Sequence, residues 1–246
     1  MSQHQDTRLG NALADNFAAD GEDALSVRKS QSIPQTITQP DNLSDILARP
    51  SYGHLSVVVG PMFAGKSTEL LKRILWAKNG RGQRVKVYKP AFDQRYSQIE
   101  IMTHGGLASQ AEAIVTWQGQ MAAIDAEQIQ VVFLDEIQFF EAPNFSDDIV
   151  EIVTQLLQKG VDVVVSGLDM DWRGAPFPIS ASLSAMSDEV LKLRGICSVC
   201  GRPSTRSFKK TGEGEQVELG GADKYESRCT HHWAAPDQPL TQHRYR

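Results

Sequence analysis

The chain has 246 residues, 41% hydrophobic and 22% charged, with a formal net charge of -5, the make-up of a soluble globular protein with material for a core. A net acidic balance suits poorly a protein that grips nucleic acid by bulk charge. The chain has neither an apolar run long enough to cross a bilayer nor a signal-peptide core at its start, so no membrane partner is expected and a cytoplasmic location follows.

Residues 1–50 are polar, broken by Gly10, Gly21, Pro34, Pro40 and Pro50 and dotted with acids such as Asp15, Asp20 and Glu22. Such a stretch buries too little apolar surface to offset its ordering entropy, so it reads as a mostly disordered extension. From residue 51 the pattern changes. Leu55 to Val59 is a buried strand, and Thr68 to Lys78 sets Leu70, Leu71, Ile74 and Leu75 on one helical face, stopped by Asn79-Gly80. Strands follow at Arg84 to Tyr88, Val131 to Leu134 and Val161 to Val165, with a helix at Ile149 to Leu157. Continuous Val/Ile/Leu strands alternating with helices predict an α/β fold, a parallel sheet flanked by helices over residues 51–192. A small glycine-rich, cysteine-bearing module at 193–234 and a tail at 235–246 complete the chain.

Between the first strand and its helix, Gly60-Pro61-Met62-Phe63-Ala64-Gly65-Lys66-Ser67 fits G-x-x-x-x-G-K-[ST]. Glycines let the backbone curl so that successive N–H groups face phosphate oxygens. Lys66 can reach the β/γ-phosphates and Ser67 can offer its hydroxyl to Mg²⁺. The helix adds its positive N-terminal end. This predicts a P-loop NTPase-type nucleotide site.

The strand Val131 to Leu134 ends in Asp135-Glu136. Asp135 is placed to serve the Mg²⁺ shell, while Glu136, one residue on, is free to receive the proton of an attacking nucleophile. All three cysteines are clustered late: Cys197-Ser198-Val199-Cys200 is one knuckle and Cys229-Thr230-His231-His232 supplies the rest. Cys197, Cys200, Cys229 and His232 would make a closed tetrahedral zinc site that staples and does not catalyse. His231 competes as fourth ligand, though its C-x-H spacing fits a knuckle less well, and a metal-free cluster or a disulfide is the alternative to a metal.

Taken together, the phosphate loop continued through Thr68, Asp135-Glu136-Ile137-Gln138-Phe139-Phe140, Gly167-Leu168-Asp169-Met170-Asp171-Trp172-Arg173-Gly174 and Gly220-Gly221-Ala222-Asp223-Lys224-Tyr225 resemble the type II thymidine kinases, in that family's order over about residues 54 to 232. The resemblance implies ATP-dependent phosphorylation of the thymidine 5′-hydroxyl, with deoxyuridine as a second candidate acceptor. It also implies Mg²⁺ with ATP, a zinc-bearing lasso over the nucleoside, dTTP as feedback inhibitor and a homotetramer. Glu136 is similar to the family's general base, and Asp93 and Arg95 to its charged pair beside the transferring phosphate. By itself Asp93-Gln94-Arg95-Tyr96 reads as a surface ion pair. Thr68 and Gln138 fall among the implied nucleotide contacts. Met62, Phe139, Leu168, Trp172 and Phe177 correspond to the thymine surroundings, and Val217, Leu219, Gly220, Gly221 and Tyr225 to the lasso's grip. Trp172 stands where the family more often has Phe, which enlarges that surface.

A rival reading is a nucleic-acid-associated ATPase, in which Asp135-Glu136 activates water and a basic cluster of Arg202, Arg206, Lys209 and Lys210 beside Phe208 binds the polymer. The net charge and the lack of any further basic stripe weigh against it.

Overall fold

Residues 52–91, 100–102, 108–211 and 221–234 are described by the computed structural model. The extension at 1–50, the tail at 235–246, and the candidate residues Asp93, Arg95, Val217, Leu219 and Gly220 lie outside them.

Strand β1, Leu55–Val59, is buried along its whole length, and helix α1, Lys66–Leu75, follows the phosphate loop. Strand β2 is Val85–Pro90, β3 and β4 form a small antiparallel pair at Glu100–Met102 and Ala108–Gln110, and β5 is Glu112–Ile114. Helix α2 (Gln120–Ala126), β6 (Val131–Leu134), helix α3 (Ile149–Gln158), β7 (Asp162–Gly167), helix α4 (Pro178–Met186) and β8 (Glu189–Lys192) complete this part. The sheet is parallel throughout, in the order β5-β2-β6-β7-β1-β8.

Successive side chains of a strand face opposite ways, and the two faces carry separate cores. Val132 and Leu134 join Val57, Val163 and Val165 beneath Ile149, Val153, Leu156 and Leu157 of α3 and Leu183 of α4. Val131 and Phe133 point the other way, onto Leu70 and Ile74 of α1 with Val87 and Val164. The predicted α/β sheet is present.

Element ends differ from expectation for local reasons. Helix α1 begins at Lys66 because Gly65, with φ 84, sits in the left-handed conformation at its N-cap, a region open to glycine at little cost. It ends at Leu75, and Trp76–Gly80 continues as one π-helical turn. The edge strands β5 and β8 and helices α2 and α4 were not expected.

Beyond β8 the chain makes two short antiparallel pairs. Strand β9 (Gly195–Ile196) pairs with β10 (Pro203–Ser204), and β11 (Arg206–Lys209) with β12 (Tyr225–Arg228).

Candidate active site

The loop Gly60 to Ser67 closes on itself: the Lys66 ammonium donates to the Pro61 carbonyl at 2.8 Å, and Glu69 N–H returns to the Gly65 carbonyl at 3.0 Å. Phe63 is held at φ 62, an uncommon conformation for a residue with a side chain. Strand β7 lies between β1 and β6, so the acidic pair is one strand removed from the phosphate loop. The intervening strand contributes Ser166, whose hydroxyl donates to the Asp135 carboxylate at 2.8 Å. Burial, followed by the neighbouring Glu136 charge, raises the Asp135 carboxyl to about 7, against the pull of Ser166 and Lys66. A buried carboxylate so placed favours a cation beside it.

Glu136 also lies in the left-handed region, at φ 54 and ψ 46, strain of the kind that gathers at functional sites. Its carboxylate accepts from the Gln138 amide at 2.6 Å, and the Gln138 carbonyl accepts from Leu168 N–H at 2.8 Å. Gln138, expected among the nucleotide contacts, is 1% exposed and has its amide committed to these two groups. Gly167 makes room for it, since a Cβ there would fall 2.3 Å from the Gln138 amide oxygen.

The segment after Leu168 folds back through its own polar groups. Asp171 accepts from Arg173 and Ala175 N–H at 2.9 and 2.8 Å, and Phe177 N–H donates to the Asp169 carbonyl at 3.1 Å. Trp172, Phe177, Phe139 and Tyr225 are buried, while Met62 and Leu168 are partly exposed. Over the Trp172 ring lie the Arg173 guanidinium at 4.8 Å and the Lys209 ammonium at 5.3 Å, cation–π distances.

The β11–β12 hairpin turns one face inward. Ser207, Lys209, Tyr225 and Ser227 are buried, and Ser207 opposes Ser227 as Lys209 opposes Tyr225. The two serines close on the phosphate loop: Met62 N–H donates to the Ser207 hydroxyl at 3.0 Å, and the Ser227 hydroxyl donates to the Met62 carbonyl.

Behind the hairpin, Cys197, Cys200, Cys229 and His232 bring their ligand atoms within 4.8 Å of one another. Cys197 and Cys229 sulfurs stand 3.6 and 3.3 Å from His232 Nδ1, and Cys200 lies 3.8 Å from Cys229. Tetrahedral zinc, with Zn–S near 2.3 Å, sets neighbouring ligand atoms about 3.6–3.8 Å apart, so the donor set fits. His232, and not His231, completes the cluster. The next residue, Trp233, donates its indole N–H to the Ser207 and Trp172 carbonyls at 3.0 and 3.3 Å.

The model of one protein family, described as thymidine kinase, matches residues 53–233. The chain is 36% identical over 200 residues to the thymidine kinase of Thermococcus kodakarensis, covering 76% of this chain and 96% of that protein. It is 38% identical over 192 residues to the thymidine kinase of Deinococcus radiodurans, covering 72% and 88%. The chain belongs to the thymidine kinase family. A solved structure, domain III of the Thermotoga maritima replication initiation protein DnaA, is similar at a TM-score of 0.30 and 12% identity, covering 61% of this chain and 58% of its own, a likeness too slight to use.

For a thymidine kinase family member, the basic cluster of the rival reading is differently employed. Lys209 is 1% exposed, Arg206 lies 5.4 Å from the Trp233 ring, and Lys210 donates to the Ala222 carbonyl. Sequence reasoning missed Ser166, Ser207, Ser227 and Trp233. The alternation in Arg206–Lys209 and Tyr225–Arg228 was the available signal for the two hairpin serines.

Proposed function

We propose that this chain transfers the γ-phosphoryl group of ATP to the 5′-hydroxyl of thymidine, giving dTMP and ADP. The O5′–Pγ bond forms, the bond from Pγ to the β,γ-bridging oxygen breaks, and the hydroxyl proton passes to Glu136. The observation that carries the reading is the Glu136 carboxylate, held by buried Gln138 at the mouth of β6, with Lys66 of the phosphate loop close enough to act on neighbouring Asp135. Because the phosphoryl transition state is loose, Glu136 contributes chiefly by orienting the hydroxyl, and the cationic cradle supplies most of the acceleration.

Ser67 and Asp135 would hold Mg²⁺, which neutralises phosphate charge when bound. Cys197, Cys200, Cys229 and His232 would hold a zinc ion as a cross-link with no open position. Gly60, Ala64, Gly65 and Thr68 serve the phosphates through the loop and helix start, and Asp93 and Arg95, by resemblance, serve the transferring group. Trp172, Phe177, Leu168, Phe139, Gly221 and Tyr225 surround the nucleoside, with Met62 bounding both substrates. A cytoplasmic homotetramer inhibited by dTTP belongs to the same reading.

The test is turnover of Mg-ATP and thymidine by purified protein. Glu136→Gln should lower kcat by roughly 10²–10⁴-fold, the usual contribution of a positioned acid–base group, with ATP still bound. Absence of thymidine phosphorylation by the wild type, or full activity of Glu136→Gln, would overturn the assignment.

A further inference from the structure

The main chain of a phosphate loop, between a strand and a helix, has no ladder to satisfy it, so each polar group must find a partner elsewhere. At Met62 both groups go to one place. Its N–H reaches Ser207, 145 residues away, and its C=O is reached by Ser227, 165 residues away. The two serines are each 4% exposed and directly opposed across the hairpin. Met62 immediately precedes Phe63, whose φ of 62 is sustained only by its surroundings.

The same hairpin is anchored at its other side. Ser227 accepts, through its carbonyl, the N–H of Ser198 at 2.9 Å, and Ser198 lies between Cys197 and Cys200 of the Cys/His cluster. One residue pair further along the inner face are Lys209 and Tyr225, with Lys209 over Trp172. A continuous set of bonds and packed groups therefore runs from the Trp172 side of the site, through a hairpin bonded to the Cys/His cluster segment, to the middle of the phosphate loop.

We propose that Ser207 and Ser227 are positioning residues that couple the nucleoside side of the site to the phosphate loop through the Met62 main chain. The proposal rests on the kinase reading for the identity of its two ligands. A pair of merely structural hydroxyls would add stability or affinity uniformly. Coupling requires that thymidine and nucleotide each strengthen the other's binding, by the same factor in both directions. It also requires that this factor depend on the clasp.

The experiment uses the full zinc-loaded chain and titration calorimetry with a non-hydrolysable ATP analogue and Mg²⁺, with and without saturating thymidine. Ser227→Ala should weaken nucleotide binding by roughly fivefold, the worth of one net hydrogen bond, and bring the thymidine–nucleotide coupling factor close to one. Zinc content should be unchanged. A wild-type coupling factor of one, or a Ser227→Ala protein with wild-type affinity and coupling, overturns the proposal. Ser207→Ala removes the opposite bond, gives the same two readings, and decides the matter if Ser227→Ala does not fold. If thymidine neither binds nor is phosphorylated, the kinase reading falls, and nucleotide affinity alone then judges the clasp.

Discussion

The parallel sheet and the cysteine-bearing segments at 193–211 and 221–234 are held together by different means. The sheet buries continuous strands of Val, Ile and Leu on both faces, with Val57, Val132, Val163 and Leu156 fully excluded from water. The later segment has strands of two to four residues, and its buried hydrophobic set among the described residues is Cys197, Tyr225 and Cys229. Its described residues are joined by single hydrogen bonds and by the Cys197, Cys200, Cys229 and His232 cluster. The first region rests on many apolar contacts, and the second on a few groups, of which Ser207 and Ser227 also reach the phosphate loop.

Removing the zinc that this cluster would hold should separate the two most sharply, since structural zinc supplies on the order of 10 kcal/mol to small modules. A chelator, or Cys200→Ser, should expose 193–234 to proteases and reduce thymidine phosphorylation to background while a cooperative thermal transition of the sheet persists. Loss of both regions in one transition would break the comparison. Leu156→Ala should do the reverse. Leu156 is 0% exposed beneath the sheet, so its truncation should cost about 2–5 kcal/mol in urea unfolding with zinc content unaltered.

The smallest effect concerns the sheet edge. Arg73 of α1 grips Glu189 of β8 through two nitrogens at 2.7 and 2.9 Å, and Ser56 adds a third bond at 2.9 Å. Arg73 foremost, then Ser56, holds the Glu189 carboxyl at about 2, below its ordinary 4.5. A depressed carboxyl stabilises the fold above its unfolded value and loses that contribution as pH falls through its folded value. Stability should therefore decline between pH 4.5 and about 2, and Glu189→Gln should flatten the decline in thermal melts across that window. The side chain is 46% exposed, so solvent screening keeps the effect small.

What the sequence made legible follows the same division. Strands β1, β6 and β7 announce themselves because burial on both faces demands unbroken apolar runs. Helix α4 does not: in Pro-Ile-Ser-Ala-Ser-Leu-Ser-Ala-Met, Ser180 and Ser184 turn their hydroxyls onto main-chain carbonyls, and only Ile179 and Leu183 mark its inner face. Strand β8 is an edge whose Glu189, Val190 and Lys192 are exposed, so it lacks a burial pattern. At the candidate site, Lys66 was visible through the spacing of the glycine-rich loop pattern, and Asp135-Glu136 as carboxylates ending an apolar strand. The partners that orient them were not, since Gln138 meeting Leu168, or Ser207 meeting Met62, depends on which backbone the fold brings alongside. Knuckle spacing already favoured His232 over His231, and the fold agrees, with His232 N–H turning back to the Cys229 carbonyl at 3.0 Å.

The clasp on Met62 also sets a timetable for synthesis. Leu55 of β1 is bonded to Asp188, 133 residues later, and the Ser227 partner of Met62 is 165 residues later. A ribosome adding roughly 5–20 residues per second needs on the order of ten seconds to cover that distance. For about the first hundred residues of this interval β1 lacks both neighbouring strands, β8 follows only at Glu189–Lys192, and the phosphate loop lacks its last main-chain partner to the end. A chain released early, even one holding Lys66, Asp135 and Glu136, lacks the Ser207 and Ser227 hydroxyls that hold the Met62 main chain.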